Sequence, residues 1–132
     1  MTICVADGGG VPLALARLDD AFPASAELAM AKARTAALFR KPSADLEAAA
    51  NGARPALLSV GEAMLGGGEP IFVDGYCARA RAGSRSAGSR SVRKNAAPSS
   101  RSAQVGAVGV SGVLPGEDAE VARAGVDAVQ SL

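Results

Sequence analysis

A stretch of 28 residues without an acidic side chain divides this sequence into two parts of unlike composition. Residues 76–103 carry seven of the chain's 14 Lys and Arg residues, and Gly-Ser-Arg-Ser occurs there twice. Apolar anchors are nearly absent, so burial cannot offset the entropy lost when such a segment becomes ordered. We therefore predict a disordered basic insertion over 76–103 and one domain formed by residues 1–75 together with 104–132.

The insertion masks the charge of the remaining chain. The formal net charge of the whole chain is +1, but the insertion carries +7, which leaves −6 for the other 104 residues. Three interpretations of the insertion stay open: an arm that binds RNA or another polyanion through phosphate contacts, a solvated loop without a partner, and translated non-coding sequence. No aromatic side chain lies between Arg79 and Arg101 to stack on bases, which disfavours specific RNA recognition.

The absence of histidine excludes several kinds of chemistry. Ser-His-Asp triads, Cys-His pairs, imidazole metal sites and a proximal histidine for haem all need that side chain. Cys4 and Cys77 are too far apart in sequence for a CxxC motif, so neither a zinc site nor a disulfide framework is expected. The chain shows no signal peptide and no apolar run of 18 residues, which predicts a cytoplasmic protein without a membrane span.

Turn residues and apolar periodicity predict the elements of the first half. A glycine-rich turn over 7–10 separates two apolar runs, so residues 2–18 are expected to form a β-hairpin. The unbroken run of helix formers over 25–40 predicts a helix, followed by a shorter one over 43–50. Residues 55–65 are expected to form either a further helical turn or an irregular covering segment. For the longer helix, the buried stripe is predicted to consist of Leu28, Ala31, Thr35 and Leu38.

The second half predicts two further strands and a final helix. A loop over 66–70 precedes a strand over 71–73, and alternating Gly, Ala and Val residues predict a buried strand over 104–112. Acidic residues at the start of 116–130 favour a helix there. With only four aromatic residues, the core must rely on Val, Leu, Ile and Ala. The sequence thus predicts an α+β domain with an antiparallel sheet and little stability to spare.

Several short segments form a pattern when they are taken in order. They are residues 5–9 with 16–19, 31–36, 67–71, and 106–112 with Glu117 and Asp118 after them. In their order and spacing they resemble the GlcG/HbpS-type haem-binding family, which includes the C-terminal domain of PduO-type proteins. The resemblance covers about 1–75 and 104–132.

This resemblance implies a profilin-like domain with an antiparallel sheet of about five strands between helices. It also implies assembly as a homo-oligomer and binding of haem or a related tetrapyrrole, and some members are linked to haem degradation, iron binding or regulation of a sensor partner. Family members usually begin with a helix ahead of the first strand. Its absence here predicts an uncovered sheet face and leaves a truncated gene model open.

Arg17, Lys32, Gly67 and Gly68 are the candidate ligand-binding residues. The two cations suit the propionates of a tetrapyrrole, and glycine backbone allows close approach of a flat ligand. The alternatives are an exposed strand end for Arg17, a solvated helix face for Lys32 and a plain loop for the glycines.

Candidate metal ligands divide into two groups. Glu117 and Glu120 share a helical face and are candidates for a hard cation, although the helix dipole already explains acidic residues in a first helical turn. For haem iron, the side chains that can coordinate are Cys4, Met30, Met64 and Tyr76, and the sequence does not decide among them.

The sequence therefore favours a small tetrapyrrole-binding or accessory protein, and it identifies no catalytic residue. An enzyme of haem breakdown or small-molecule metabolism is the second hypothesis, which the lack of histidine and of paired catalytic carboxylates disfavours. Polyanion binding through the insertion is the third.

Overall fold

In the computed structural model, which describes residues 1–74 and 102–131, two strands are followed by three helices, two further strands and a last helix. The α+β class predicted from the sequence is confirmed. The elements are β1 (Thr2–Asp7), β2 (Pro12–Arg17), α1 (Ser25–Phe39), α2 (Ser43–Asn51), a 3₁₀ helix (Pro55–Val60), β3 (Gly68–Asp74), β4 (Ser102–Ser111) and α3 (Pro115–Gln130).

The sheet is antiparallel throughout and has the strand order β2-β1-β4-β3. Within the described residues it has four strands, where about five were expected. The first two form the predicted hairpin, and the Asp7 carboxylate holds its turn by accepting the N–H groups of Gly9 and Val11, both at 2.9 Å. An Asx-type turn of this kind fixes the register of the hairpin.

Two strand boundaries differ from the sequence prediction. β3 begins at Gly68, three residues before the predicted start, because Gly68 pairs with Gly109 and the Gly67 carbonyl accepts the Val110 N–H at 2.8 Å. β4 begins at Ser102, two residues early. Apart from these first two residues of β4, the predicted insertion over 76–103 lies outside the described residues.

Helix α1 covers one face of the sheet with alanine rather than with leucine. Ala29, Ala33 and Ala36 are fully buried. Of the predicted stripe, Thr35 is buried, Leu28 and Ala31 are half-buried and Leu38 is exposed, so the two leucines do not form its buried centre. The reason is close approach: a Cβ at Gly109 would overlap the Ala29 carbonyl oxygen. Glycine in the strand and alanine in the helix let the two backbones nearly touch, and a leucine face would not fit.

Helix α3 covers the opposite face, mainly over β3 and β4. Val108 and Val110 pack there against Ala122 and Val126, with Ile71 beside them. On β2, all six residues are exposed. Strand β2 is therefore an exposed edge of the described sheet.

The remaining helices enclose a smaller cluster beside α1. Leu46 and Ala50 of α2 pack against Leu57 of the 3₁₀ helix and against Met64, with Phe39 half-buried among them. None of the helices found in residues 1–74 and 102–131 is long and apolar enough to cross a membrane.

Candidate functional site

Lys32 is buried inside the protein. Its side chain leaves α1 and reaches Asp118 in the first turn of α3, where Nζ lies 2.8 Å from Oδ2. Nζ also donates to the Val110 carbonyl at 3.0 Å. Lys32 is 4% exposed and Asp118 1%. The Lys32 ammonium is therefore bonded inside the protein and does not lie on a solvated helix face.

Gly67 and Gly68 make room for this ion pair. Gly67 has φ +113°, and a Cβ there would lie 2.9 Å from the Asp118 Cβ and 3.1 Å from the Lys32 Nζ. A Cβ at Gly68 would overlap the Lys32 carbonyl oxygen. The structure thus brings together three of the four residues predicted to bind a ligand, and it adds Asp118. We call Lys32, Gly67, Gly68 and Asp118 the junction.

The polar groups around the junction are occupied by the protein itself. Ser43 Oγ donates to the Leu65 carbonyl at 2.6 Å and accepts the Gly68 N–H at 2.8 Å. Glu47 accepts the Gly66 N–H at 2.8 Å. Among the described residues, every fully buried side-chain nitrogen or oxygen has a hydrogen-bond partner. The junction is a packed joint between elements in which each buried polar side chain is bonded within the protein.

Arg17 lies elsewhere, at the end of the opposite edge strand. It is exposed, and its Nη2 donates to the Ala21 carbonyl at 2.5 Å. Arg17 pairs with Thr2, whose Oγ1 is 2.7 Å from Ser25 Oγ at the start of α1, so both strand residues face the α1 side. Three strand spacings separate β2 from β3, or about 14 Å. Arg17 and the junction are therefore distinct places.

Three apolar residues are found on the same side of the sheet as Arg17 or next to its contact in the sequence. Leu15 is 43% exposed and lies opposite Cys4, so it too faces the α1 side. Phe22, which follows the residue that Arg17 contacts, is 44% exposed. Met30 of α1 is half-buried against the cluster that contains Cys4. We call Leu15, Arg17, Phe22 and Met30 the shelf.

The shelf is open because α1 leaves the edge strand uncovered. This helix packs mainly across β1, β4 and β3 and only touches β2. The result is an exposed apolar surface with a cation at its rim, which suits an amphiphilic anion.

The side chains predicted as iron ligands differ in how buried they are. Cys4 is fully buried, and burial raises the pKa of its thiol, which disfavours the thiolate needed for coordination. Met64 is buried in the α2 cluster, and Tyr76 lies outside the described residues. Met30, which we include in the shelf, is half-buried against the Cys4 cluster.

Glu117 and Glu120 are both exposed at the start of α3. Glu117 Oε2 accepts the Leu114 N–H at 3.3 Å and so caps the helix. Among residues 1–74 and 102–131, no group of three or more Cys, Asp or Glu side chains is arranged to hold a metal ion. Helix capping accounts for the position of Glu117.

The sequence did not predict that the Glu69 carboxylate is buried. Glu69 of β3 is 6% exposed, and its Oε1 accepts a hydrogen bond from Arg123 Nε at 3.0 Å. Burial raises the pKa of Glu69, Arg123 opposes that shift, and the nearby negative charge of Asp45 adds to it. Within the sequence, Glu69 follows three glycines and gives no sign of burial.

Comparison with known proteins gives a consistent result. The family of haem-degrading proteins described as HbpS-like matches residues 1–81. Protein GlcG of Escherichia coli K12 is 43% identical over 76 residues, which is 57% of this chain and 57% of GlcG. The chain thus matches little more than half the length of its curated relatives.

Solved structures share the fold. Klebsiella pneumoniae protein ORFY has a TM-score of 0.71 at 23% identity, covering 99% of this chain and 75% of ORFY. An HbpS double mutant from Streptomyces reticuli has a TM-score of 0.68 at 27% identity, covering 97% and 70%. A PduOC:heme complex has a TM-score of 0.64 at 20% identity, covering 96% and 76%. At 23% and 20% identity, ORFY and PduOC show the fold alone.

Proposed function

This chain belongs to the HbpS-like family of haem-degrading proteins, and on that premise we propose that it binds haem or a related tetrapyrrole at the shelf. Two observations on relatives support the ligand class. The family description names haem, and PduOC, which has the same fold, was solved as a complex with heme.

The chemistry of the shelf fits such a ligand. A tetrapyrrole combines a flat apolar ring with carboxylate side chains, and the shelf offers apolar Leu15 and Phe22 next to the exposed Arg17. In this proposal Arg17 pairs with a propionate, and the ring lies on the apolar side chains. Met30 supplies a thioether, which is a known ligand of haem iron. The observation that carries the proposal is an exposed arginine bordered by exposed apolar residues.

The junction takes a different role in this proposal. Lys32 can reach a ligand only by leaving Asp118, which would bury an unpaired carboxylate at high cost. We therefore assign Lys32, Gly67 and Gly68 to holding α1, β3 and α3 together. Of the four residues first considered for ligand contact, Arg17 keeps that assignment.

Titration with hemin tests the proposed function. The purified full-length chain at a few micromolar is titrated with hemin, and the Soret band is followed with a fluorescence-quenching titration in parallel. We expect saturable binding near one hemin per chain with a shifted Soret maximum. A linear, unsaturated response identical to that of bovine carbonic anhydrase used as a non-binding control would refute it.

A further inference from the structure

Helix α2 ends on an asparagine that is followed by glycine. Asn51 is the last residue of the helix, and Gly52 is the first residue after it. Residues 51–56 are all exposed, so water reaches both the Asn51 carboxamide and the peptide bond that joins the pair. Neither residue belongs to the shelf or to the junction.

An asparagine side chain can react with its own main chain. The nitrogen of the following residue attacks the asparagine Cγ, and the new C–N bond closes a five-membered succinimide ring. The Cγ–Nδ2 bond breaks and releases ammonia, which carries away the proton lost by the attacking nitrogen. A side chain on the following residue hinders this attack, and glycine has none. Water then opens the ring at either carbonyl and leaves aspartate or isoaspartate.

The nitrogen that must attack is weakly held in this structure. The Gly52 N–H donates to the Ala49 carbonyl at 3.3 Å, and the Arg54 N–H donates to the same oxygen at 2.8 Å. Two donors thus share one acceptor, and Gly52 has the longer bond. A bond of this length at a helix end is readily exchanged for one to water, because helix ends fray. Fraying frees the Gly52 nitrogen for attack on Asn51.

The end of α2 has little to prevent this fraying. Its last turn carries no basic side chain to bond the terminal carbonyls. The helix has nine residues, which is too short for independent stability, so it depends on the packing of Leu46 and Ala50. Of its last four residues, Ala50 alone is buried.

The turn of the β1–β2 hairpin shows the opposite case. Asp7 also precedes a glycine, but its carboxylate accepts the N–H groups of Gly9 and Val11, both at 2.9 Å. Those bonds fix the Asp7 side chain in the turn. The Asn51 carboxamide has no hydrogen-bond partner among residues 1–74 and 102–131, so it is free to turn towards the Gly52 nitrogen.

We propose that Asn51 is a modification site, at which the exposed Asn51-Gly52 pair deamidates without an enzyme to aspartate and isoaspartate. The net reaction consumes one water and releases one ammonia, and it does not depend on ligand binding. A Cβ at Gly52 would lie 3.2 Å from the Ala48 carbonyl oxygen, so the fold favours glycine at the position where glycine also permits the fastest attack.

The product changes the end of α2. An aspartate there places a negative charge at the negative end of the helix dipole, which disfavours the last turn. Isoaspartate does more, because it routes the main chain through its side-chain carbons and so displaces Gly52 and Arg54 from the Ala49 carbonyl. Those bonds fix the turn that leads to Leu57, which packs against Leu46. Deamidation is therefore expected to loosen α2 from the 3₁₀ helix.

Peptide mapping after storage tests the site. The full-length protein is kept at 37 °C and pH 7.4, and an endoprotease that cleaves after glutamate releases residues 48–62 for mass spectrometry. We expect this peptide to gain about 1 Da, and to do so faster at pH 8.5, because the attacking nitrogen must lose a proton. An isoaspartyl carboxyl methyltransferase with a radiolabelled methyl donor should label the stored protein. Asn95, which precedes Ala96, is the internal control and should convert at least tenfold more slowly.

A synthetic peptide of residues 48–56 gives the rate of the same reaction without a fold. Conversion of the folded protein at one tenth of the peptide's rate or faster supports the site, and slower conversion overturns it.

Asn51→Gln is the matched variant, because glutamine would have to close a less favourable six-membered ring. Its peptide should keep its mass and the stored variant its urea midpoint, whereas the midpoint of stored wild type should fall as conversion proceeds. Asn51→Asp, made directly, should show part of that fall. Conversion of the wild type without a lower midpoint overturns the proposed loosening of α2.

Discussion

Lys32 Nζ and Asp118 Oδ2 lie 2.8 Å apart and join two helices that pack on opposite faces of the sheet. The contact passes the start of edge strand β3, where Gly67 and Gly68 have no side chains to obstruct it. Asp118 also accepts the Val113 N–H through Oδ1 at 3.2 Å. One carboxylate therefore anchors both α1 and the loop before α3.

Breaking this ion pair should destabilise the fold strongly. Asp118→Ala leaves the Lys32 ammonium buried without its counter-charge, and such changes cost about 3–5 kcal/mol. The double variant Lys32→Met with Asp118→Leu removes both charges and should recover most of that loss. Urea denaturation measures each free energy of unfolding. A loss of unfolding free energy below about 1 kcal/mol for Asp118→Ala would contradict the view that the buried Lys32 ammonium needs Asp118 as its counter-charge.

Two Gly→Ala changes should have opposite effects. Gly109→Ala forces a Cβ into the Ala29 carbonyl and should cost about 1–3 kcal/mol or more, as overpacking does. Gly125→Ala, in the middle of α3, meets the Val108 methyl groups at 3.8 Å and should gain about 0.5–1 kcal/mol from helix propensity. Thermal and urea unfolding check both. Equal effects of the two substitutions would rule out close packing of α1 on β4.

The stability of the protein should depend on pH through Glu69. Its pKa is raised in the fold, chiefly by burial, so the folded state binds this proton more tightly than the unfolded chain does. Its contribution to the free energy of unfolding therefore falls as pH rises from the ordinary value of 4.5 through the folded pKa. Glu69→Gln lacks this titration.

Urea denaturation between pH 4 and pH 7 checks that effect. The free energy of unfolding of the wild type minus that of Glu69→Gln should decrease with rising pH. Glu120→Gln, at an exposed glutamate of α3, controls for the loss of one negative charge. A difference that stays constant or increases with pH would contradict the raised pKa.

Ligand affinity should respond to Arg17. Arg17→Gln removes the cation at the rim of the shelf and should raise the Kd for hemin about fivefold, because one hydrogen bond of this kind is worth about 1 kcal/mol. Arg54→Gln, at another exposed arginine, is the matched control and should leave the Kd unchanged. Equal hemin affinities of Arg17→Gln and wild type, measured by fluorescence quenching, would show that Arg17 does not contribute to hemin binding.

The thioether of Met30 should be visible in the spectrum. Met30→Leu keeps an apolar side chain of similar size and should move the Soret maximum of bound hemin with little effect on stability. Met64→Leu changes a buried methionine of the α2 cluster and should leave that maximum in place. Absorbance spectra at saturating hemin decide the point. Identical spectra for Met30→Leu and wild type would exclude this ligand.

Local signals in the sequence were enough to locate most elements. The glycine triplet at 8–10 separates two apolar runs because it permits a tight turn, and the hairpin lies where expected. The alanine-rich run that ends before Pro42 became α1 within one residue of its predicted bounds, since propensity acts locally. The acidic turn at Glu117 likewise marks the start of α3.

Other features depend on contacts between distant parts of the chain. Leu28 and Leu38 look like the core face of α1, but the glycine at 109 selects the alanine face because only small residues allow the backbones to approach so closely. Lys32 lies on that same face, next to Ala33, and burial becomes favourable only because Asp118 is folded against it from 86 residues away.

The sequence by itself determined the α+β class, the order of the elements and the absence of imidazole chemistry, because these follow from local propensity and composition. Only the tertiary structure decided which candidate residues face a ligand. Arg17 stays exposed beside apolar side chains, whereas Lys32 forms a buried ion pair with Asp118. Packing between elements selects the partner of a buried charge, and no local sequence pattern indicates which residue that partner is.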